Sequence, residues 1–412
     1  MKILIENESF KHQGGTETIS LHTFEMLKRN GHEAFFFATD NQPYYNSNYK
    51  YIKYFPKFVY NTKEYLKNPI AYYWNFEAAQ NLKKMIMEVK PDIIHFNLII
   101  SPSIIKVCRD LNISSVMTLH IPSPICPANT MQFKNKEYCK EFKCKNGNYW
   151  HCIFNKCKNN SLENSTRKAI LAYLYKISNS YSYFSKIICC SNALKDICMQ
   201  TNIGINKNNL VVVNNFLSND ELKTQPNYSN KNYFLYIGRL DKVKGVHYLL
   251  EAIKDLSREI EVHIVGKGSE EEKLKQYAKE NNLENVKFLG FKNREEIKEE
   301  YQNCISTVLP CNWFENFPTT NMESFINGKP VIASNIGGIP EQVEHNKTGL
   351  LFEPANIEQL KKCILTYWNN PELVKEHGRN GYEKAKTKYT EERYYKELMQ
   401  VYENVLKEKN EV

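Results

Sequence analysis

The feature that most restricts the fold is a rhythm of short apolar segments and amphipathic helical segments that runs along the chain twice. In the first half, strand-like runs such as KILIE (2–6), EAFFFAT (33–39) and IIHFN (93–97) alternate with helical patterns. Strands that are apolar at nearly every position are typical of parallel sheets with helices on both faces. The Tyr-rich polar stretch 41–70 lacks a clean period, and we expect loops with short helices there.

The rhythm restarts after the polar segment 220–232, which has the composition of a linker. We therefore predict an α/β protein of the doubly wound type with two Rossmann-like domains, residues 1–216 and 217–385. A C-terminal helix, 386–412, is expected to pack back on the first domain. In open parallel sheets, ligands bind at the carboxyl ends of the strands, so we expect a binding cleft between the two domains.

The net charge of +9 is unevenly distributed along the 412 residues. Residues 1–215 hold 27 Lys and Arg against 15 Asp and Glu, whereas the remainder holds 28 against 31. A basic half suggests an anionic partner, such as anionic lipid, nucleic acid or a phosphorylated acceptor. A solvated surface in a Lys-rich chain is the alternative interpretation.

A segment that follows a predicted strand in the second half, WFENFPTTNME (313–323), combines a helix start with two carboxylates. Pro318 suits the first position of a helix, so residues from Thr319 onward present backbone N–H groups that can bind an anion. Glu315 precedes this helix and Glu323 lies about a turn and a half inside it, where carboxylates would bind hydroxyls. The segment predicts a receptor for a sugar joined through phosphate to a ribose. A loop charge at Glu315 and a capping or salt-bridge role for Glu323 are the alternative.

Two cations follow the first strand of the second half. The segment GRLDKVKG (238–245) places Arg239 and Lys244 at the end of that strand. Such a pair can neutralise a diphosphate, with the Arg as a planar fork and the Lys as a point charge. A basic loop that simply opens a helix is the alternative.

Glycine turns and one histidine occupy similar positions at other strand ends. QGGTE (13–17) leads into a helix and contains Gly15, while the strand EVHIV is followed by a turn that contains Gly266. His120 ends the strand in TLHIP, which is where a functional histidine would lie, although many single histidines are structural.

Together these motifs resemble the retaining, nucleotide-sugar-dependent glycosyltransferases of family four, which have the GT-B fold, in particular those of bacterial cell-surface polysaccharides. The matching motifs are GGTE, TLH, GRLDKVKG, ENFPTTNME with its Glu-x7-Glu spacing, and GKPVIASNIGGIPEQVEHNKTGLLFEP. These motifs extend over the whole second domain, occur at separate positions in the first, and follow one another in the same order as in the family.

The resemblance implies a role for each matching residue. Arg239 and Lys244 would bind the donor diphosphate, Glu323 the ribose hydroxyls, and Glu315 the donor sugar, while His120 would lie beside the transferred sugar. The implied donor-binding set is Gly15, Arg239, Lys244, Gly266, Glu315, Asn316, Phe317, Pro318, Thr319 and Glu323. The implied catalytic set is His120, Glu315, Arg239 and Lys244.

The implied activity is transfer of a hexose, with retention, from a nucleoside diphosphate sugar to a hydroxyl of a glycan or lipid-linked acceptor. We favour a UDP-sugar and front-side attack, and expect no cofactor because cations and a helix N-terminus can replace a metal. The alternatives are an inactive nucleotide-sugar-binding protein and an epimerase or phosphorylase on the same fold. We do not expect nucleic-acid binding, because no recognition motif accompanies the basic half.

Five of the twelve cysteines lie between residues 126 and 157, which we predict to be a Cys-rich insertion of the first domain. Four of them form two C-x4-C pairs that could hold a structural zinc ion, although C-x2-C is the usual spacing. These four are Cys139, Cys144, Cys152 and Cys157. Two reversible disulfides and unlinked thiols are the alternatives. Some relatives of the cell-surface polysaccharide type carry a similar loop, which favours a surface-glycan acceptor.

The segment 158–186 interleaves tyrosines with Lys and Arg, and lies in the most basic hundred residues of the chain. Aromatics among cations suit an interfacial helix on anionic lipid, whereas an ordinary amphipathic helix that covers the sheet is the alternative. The sequence has no apolar run of about 18 residues, and its first segment, MKILIENESF, lacks the apolar core and cleavage site of a signal peptide, so we expect none. We therefore expect a cytoplasmic protein, with peripheral attachment to the inner face of the cytoplasmic membrane as the extension of that expectation.

Overall fold

The structure is a computed structural model that describes residues 1–7, 14–38, 52–54, 73–97, 101–133, 137–139, 141–229 and 231–411. It divides into two compact units, one formed by Met1–Asn214 with Tyr394–Val412 and the other by Asn215–Arg393. The stretch 41–70, predicted to be loops with short helices, lies outside the described residues except for one three-residue strand. Within the described ranges, no helix combines the length and the apolar character needed to span a bilayer.

The first unit is built on a seven-stranded sheet in the order β3-β2-β1-β4-β5-β8-β9, and all of its strand pairs are parallel. Its elements up to residue 212 are β1 Lys2–Glu6, α1 Gly15–Arg29, β2 Glu33–Ala38, β3 Ile52–Tyr54, α2 Phe76–Val89, β4 Ile93–Phe96, α3 Pro102–Asp110, β5 Ser114–Leu119, β6 Gln132–Phe133, β7 Glu137–Tyr138, α4 Trp150–Phe154, α5 Leu162–Ile177, β8 Lys186–Cys189, α6 Asn192–Met199 and β9 Leu210–Val212. Every residue of β4 and of β5 is buried. Because successive strand residues point to opposite faces, both faces of this sheet are covered.

Side-chain caps begin several helices of the first unit. The side chain of Asn75 accepts the backbone N–H of Ala78 at the start of α2, and serines at positions 101, 161 and 191 play the same role for α3, α5 and α6. Such caps each stabilise a helix by about 1 kcal/mol relative to alanine. Polar residues therefore fix where helices begin between the apolar strands.

The Cys-rich insertion lies between β5 and β8. The insertion, residues 126–157, contains the antiparallel two-stranded sheet of β6 and β7 and the short helix α4, and α5 follows it. A small apolar cluster of Tyr149, Ile153, Ala169 and Ala172 joins the insertion to α5. The insertion therefore packs mainly α4 against α5.

The second unit has a six-stranded sheet in the order β12-β11-β10-β13-β14-β15, again with parallel pairs only. Its elements are α7 Asn219–Leu222, β10 Tyr233–Ile237, α8 Val246–Ile253, β11 Glu261–Val265, α9 Glu271–Glu280, β12 Val286–Gly290, α10 Arg294–Asn303, β13 Thr307–Leu309, α11 Thr319–Ile326, β14 Val331–Ser334, α12 Ile339–Gln342, β15 Gly349–Phe352, α13 Ile357–Asn369 and α14 Pro371–Lys388. The prediction of two doubly wound parallel sheets is confirmed.

The last helix, α15 (Glu391–Asn410), begins in the second unit, and its residues from Tyr394 onward belong to the first. There the Tyr402 hydroxyl lies 2.6 Å from Nδ1 of His95, which is fully buried in β4. Lys186, at the start of β8, forms a 2.9 Å ion pair with Glu408. The C-terminal segment thus completes the first unit.

Candidate functional site

The candidate site of the second unit lies at the point where its strand order reverses. From β10 the chain moves outward through β11 and β12, then returns to place β13 on the other side of β10. Ligands of open parallel sheets bind at the carboxyl ends of the strands beside such a switch point. The segment after β10 carries Arg239 and Lys244, and the segment after β13 carries Glu315. The predicted diphosphate and sugar ligands therefore come from the two strands that flank the switch.

Lys244 and Glu315 form an ion pair at this edge of the sheet. The Lys244 ammonium donates to Glu315 Oε2 at 2.8 Å, and the two side chains are only 15% and 13% exposed. Removing one residue of an ion pair that is largely shielded from solvent is costly, because the remaining charge is then left without a counter-ion. The two residues predicted to bind opposite parts of the donor thus hold each other in place.

Trp313, which sequence reasoning did not single out, completes this arrangement. Its indole N–H donates to the same Glu315 Oε2 at 2.5 Å, and the Lys244 ammonium lies 4.8 Å from the indole ring centroid. A cation over an indole face is attracted by the ring quadrupole. The only signal in the sequence was an aromatic residue two positions before the carboxylate, in a loop whose path the sequence does not reveal.

The Gly-Gly turn after β14 fixes the backbone of Glu315. The amide of Gly338 donates to the Glu315 carbonyl at 2.9 Å. Gly337 has φ of +60°, and a Cβ at this position would lie 2.2 Å from that carbonyl oxygen. Only glycine suits this conformation and this close approach. The turn therefore supports the carboxylate loop.

The N-terminus of α11 begins one residue later than predicted. Pro318 is extended, with ψ of 130°, and precedes the helix, whose first residue is Thr319. Its carbonyl accepts from the Gln342 side chain at 3.0 Å, which ties the residue before the helix to α12. The difference of one residue leaves the amides from Thr319 onward at the start of the helix, where an anion would bind.

The two residues before this proline are fixed in place by contacts with residues outside their loop. Asn316 and Phe317 are both buried, and the Phe317 carbonyl accepts from the Asn215 side chain at 3.0 Å. The Phe317 ring meets the Tyr389 ring edge-on, with centroids 5.7 Å apart. The loop that carries the predicted sugar-binding backbone is thus anchored by packing.

Glu323 lies in α11, where its carboxylate accepts from the Tyr301 hydroxyl at 2.8 Å. Burial raises the pKa of Glu323, and the nearby Glu221 carboxylate raises it further. A buried carboxylate has few water molecules to hydrogen-bond with, so additional hydroxyl donors stabilise it more than they would an exposed one. Tyr301 is a second residue that the sequence did not reveal, since it comes from α10.

Arg239 is not joined to the Lys244–Glu315 pair in this structure. Its side chain is 62% exposed and forms a 3.0 Å ion pair with Asp241 in the same motif. Gly266, the glycine predicted after β11, has φ of +136°, and its added Cβ would lie 1.9 Å from the Gly238 carbonyl oxygen. The turns after β10 and β11 therefore touch through backbone atoms, while Arg239 extends toward solvent.

In the first unit, His120 follows β5 and meets residues from the ends of two neighbouring strands. Its Nε2 lies 3.0 Å from Asn97 Oδ1, after β4, and its Nδ1 lies 3.7 Å from the Cys190 sulfur, after β8. Burial lowers the pKa of His120 to about 4, so its imidazole is neutral at neutral pH. Gly15, the other predicted residue of this unit, is exposed and is the first residue of α1.

All five cysteines of the insertion line one cavity of about 30 Å³. It includes the four predicted zinc ligands, His151, and Cys126, which the sequence pairing had left out. Burial raises the pKa of Cys144 and of Cys126, and each nearby thiolate raises them further. Among the described residues, no three His, Cys, Asp or Glu side chains stand in an arrangement that could hold a metal ion. The zinc site stays a prediction.

Comparisons with known proteins identify both halves of the chain. The family model described as Glycosyltransferase Family 4 matches residues 13–221, just over half of the chain, and the model described as Glycosyl transferases group 1 matches residues 218–384. An uncharacterised glycosyltransferase of Methanocaldococcus jannaschii is 33% identical over 233 residues, which are 57% of this chain and 63% of that protein. The O-antigen chain mannosyltransferase C of Escherichia coli is 29% identical over 43% of this chain and 48% of its own length. The chain thus spans about half to two thirds of these relatives.

Solved structures share the fold. HepE of Anabaena, in a crystal structure with UDP, superposes with a TM-score of 0.69 at 19% identity, over 98% of this chain and all of that chain. This likeness confirms the expected GT-B fold.

Proposed function

Since this chain belongs to glycosyltransferase family 4, we propose that it transfers a sugar from a nucleoside diphosphate sugar to an acceptor hydroxyl. The observation that carries this proposal is the Lys244–Glu315 pair beside the N-terminus of α11. At the switch point of the sheet, a cation and helix amides that can bind phosphate lie beside a carboxylate that can accept hydrogen bonds from hydroxyls.

The proposed donor site lies on the second unit. Lys244 binds the diphosphate, with Arg239 turning from Asp241 to join it, and the amides at the start of α11 contribute further positive charge. Glu315 and the backbone of Asn316 and Phe317 hold the sugar. Glu323 receives the ribose hydroxyls in addition to the Tyr301 hydroxyl. The loop at Gly266 lets backbone approach the nucleotide.

The proposed reaction retains configuration and needs no metal. The bond from the anomeric carbon to the diphosphate oxygen breaks, and the acceptor oxygen forms its bond on the same face. The acceptor proton passes to the departing phosphate oxygen. Lys244 and the helix amides stabilise the charge that develops on that oxygen. In the first unit, we propose that Gly15 offers a backbone N–H to phosphate and that the neutral His120 hydrogen-bonds the sugar.

We propose a UDP-sugar as the donor and a glycan or lipid-linked hydroxyl of a cell-surface polysaccharide as the acceptor. The UDP in the HepE structure and the O-antigen chain in the name of the mannosyltransferase support these choices. The corresponding place in the cell is the cytoplasm, at the inner face of the cytoplasmic membrane.

The test is a thermal-shift panel of UDP-, GDP- and ADP-sugars, followed by transfer assays with the donor that stabilises the protein. We expect Lys244→Ala and Glu323→Ala to lower turnover sharply. Lys242→Ala is the matched control, because this exposed lysine lies in the same turn. The proposal is wrong if no donor shifts the melting temperature, or if both variants keep near-native turnover.

A further inference from the structure

Exposed apolar side chains are concentrated in one part of the first unit. Of the nine large hydrophobic residues that are exposed among the described residues, six lie between positions 150 and 199. Trp150 and Phe154 of α4 are 56% and 74% exposed, and their rings stack with centroids 5.9 Å apart. Two stacked aromatic rings in water are a costly exposure unless something covers them.

A second apolar row lies on α5. Leu162, Ile170 and Ile177 are 53%, 38% and 78% exposed. At 3.6 residues per turn they fall within roughly 80° of each other around the helix axis, so they form one ridge.

The ridge on α5 lies beside the aromatic pair on α4. Tyr173 falls within the same sector of α5, and its hydroxyl accepts the backbone N–H of Tyr149 at 3.0 Å. Tyr149 directly precedes Trp150, and the two tyrosine rings are 4.9 Å apart. We name the surface formed by Trp150, Phe154, Leu162, Ile170 and Ile177 the apolar ridge.

The chain around the apolar ridge is basic. Residues 141–177 hold seven Lys and Arg against two Asp and Glu. Both acids are already paired, Glu141 with Lys143 at 3.3 Å and Glu163 with Arg167 at 3.2 Å. The exposed Lys156 follows Phe154 by two positions. Arg167 is buried, so the six lysines of this stretch, which are exposed or half-buried, supply its surplus of positive charge.

We propose that the apolar ridge docks on the surface of an anionic lipid bilayer. Trp150 and Phe154 enter the interfacial region, where aromatic side chains are favoured, and the aliphatic residues of α5 cover the adjacent acyl boundary. The lysines of residues 141–177 meet anionic headgroups. Exposed Leu and Ile side chains would add no binding energy on nucleic acid, whereas they can enter a bilayer. The surplus of positive charge is complementary to anionic lipid headgroups. This binding assigns a surface of the protein to the membrane location proposed above, and it does not depend on the transfer reaction or its donor.

The experiment is flotation of the full chain with vesicles of phosphatidylcholine alone or mixed with phosphatidylglycerol. We expect binding to the mixed vesicles only, weakened by added salt because exposed charges are screened. Trp150→Ser combined with Phe154→Ser should lower the bound fraction at least about tenfold, since two large apolar side chains no longer enter the interface. Phe76→Ser is the matched control, because Phe76 is 62% exposed on α2 of the same unit.

Several outcomes would overturn the docking proposal. One is wild-type protein that floats with neither vesicle, or equally with both. Another is a double variant that floats like the wild type while its circular dichroism is unchanged. A third is a wild-type dimer in lipid-free sedimentation that the double variant converts to a monomer, since the apolar ridge would then bind a second copy of this chain.

Discussion

The indole of Trp313 makes two contacts that a pair of substitutions can separate. Trp313→Phe keeps an aromatic face beneath Lys244 but removes the N–H that donates to Glu315 at 2.5 Å. Hydrogen bonds to charged groups contribute about 1.5–3 kcal/mol, which corresponds to roughly 10- to 100-fold in an equilibrium. Trp313→Ala also removes the cation–π contact, which contributes about another 0.5–2 kcal/mol.

Two assays measure the consequence, and one of them requires no substrate. For a unit the size of Asn215–Arg393, each kcal/mol shifts the melting temperature by about 2–4 °C, so Trp313→Phe should lower it by about 3–12 °C. In thermal-shift titrations, we expect UDP alone to bind this variant almost as well as the wild type, because an aromatic ring still lies beneath Lys244. The sugar-dependent step should weaken roughly 10- to 100-fold, because Glu315 loses a positioning donor.

Trp368→Phe is the control, because this tryptophan packs against the core of the same unit. Melting temperatures and kcat/KM that stay at wild-type values in both Trp313 variants would refute the assignment of Trp313 as a positioning residue. A lowered melting temperature without any donor binding in the wild type would keep Trp313 as a support of the ion pair and reject the proposed function instead.

Three further predictions follow from other parts of the molecule. Gly337→Ala should destabilise the protein more than Gly31→Ala in denaturant titrations. Both glycines have positive φ, but only a Cβ at position 337 would meet backbone, 2.2 Å from the Glu315 carbonyl oxygen. Equal losses of unfolding free energy in the two variants would contradict this. Burial lowers the pKa of His95 to about 3, so the unfolded chain takes up a proton below pH 6.5 that the native state resists, and stability should fall between pH 6.5 and 3. His95→Gln should make that fall shallower, and an unchanged pH profile would argue against it. Metal analysis decides between the zinc site and the two thiol alternatives. Zinc that Cys144→Ser releases and Cys363→Ser in the second unit retains would establish a site that the described geometry does not show, and metal-free protein with disulfides or free thiols would reject it.

Sequence reasoning succeeded where the backbone alone decides the structure. The strands around Ile94 and Val116 are apolar at successive positions because both sheet faces are covered, and this pattern is visible in the letters. The positions of Lys244 and Glu315 after neighbouring strands follow from the same topology. Two residues that were assigned to one donor could thus be placed at one sheet edge.

Sequence reasoning failed where side chains from distant positions converge. Trp313 and Tyr301 contact the two predicted carboxylates only because of the path of a loop and the packing of α10 beside α11. Arg239 was expected beside Lys244, but the motif supplies its own counter-ion in Asp241. Cys126 lies thirteen residues before the nearest predicted ligand and still lines the same cavity. No local spacing encodes such contacts.

The path of α15 affects the order in which the chain can fold during synthesis. Tyr394, Tyr402 and Glu408 complete the first unit, yet the ribosome makes them after every residue of Asn215–Arg393. Domains that are contiguous in sequence can fold as they emerge, N-terminal first. Here the buried His95 cannot contact Tyr402 until nearly the whole polypeptide has been translated. The first unit is therefore the last of the two units to be completed, although its synthesis begins first.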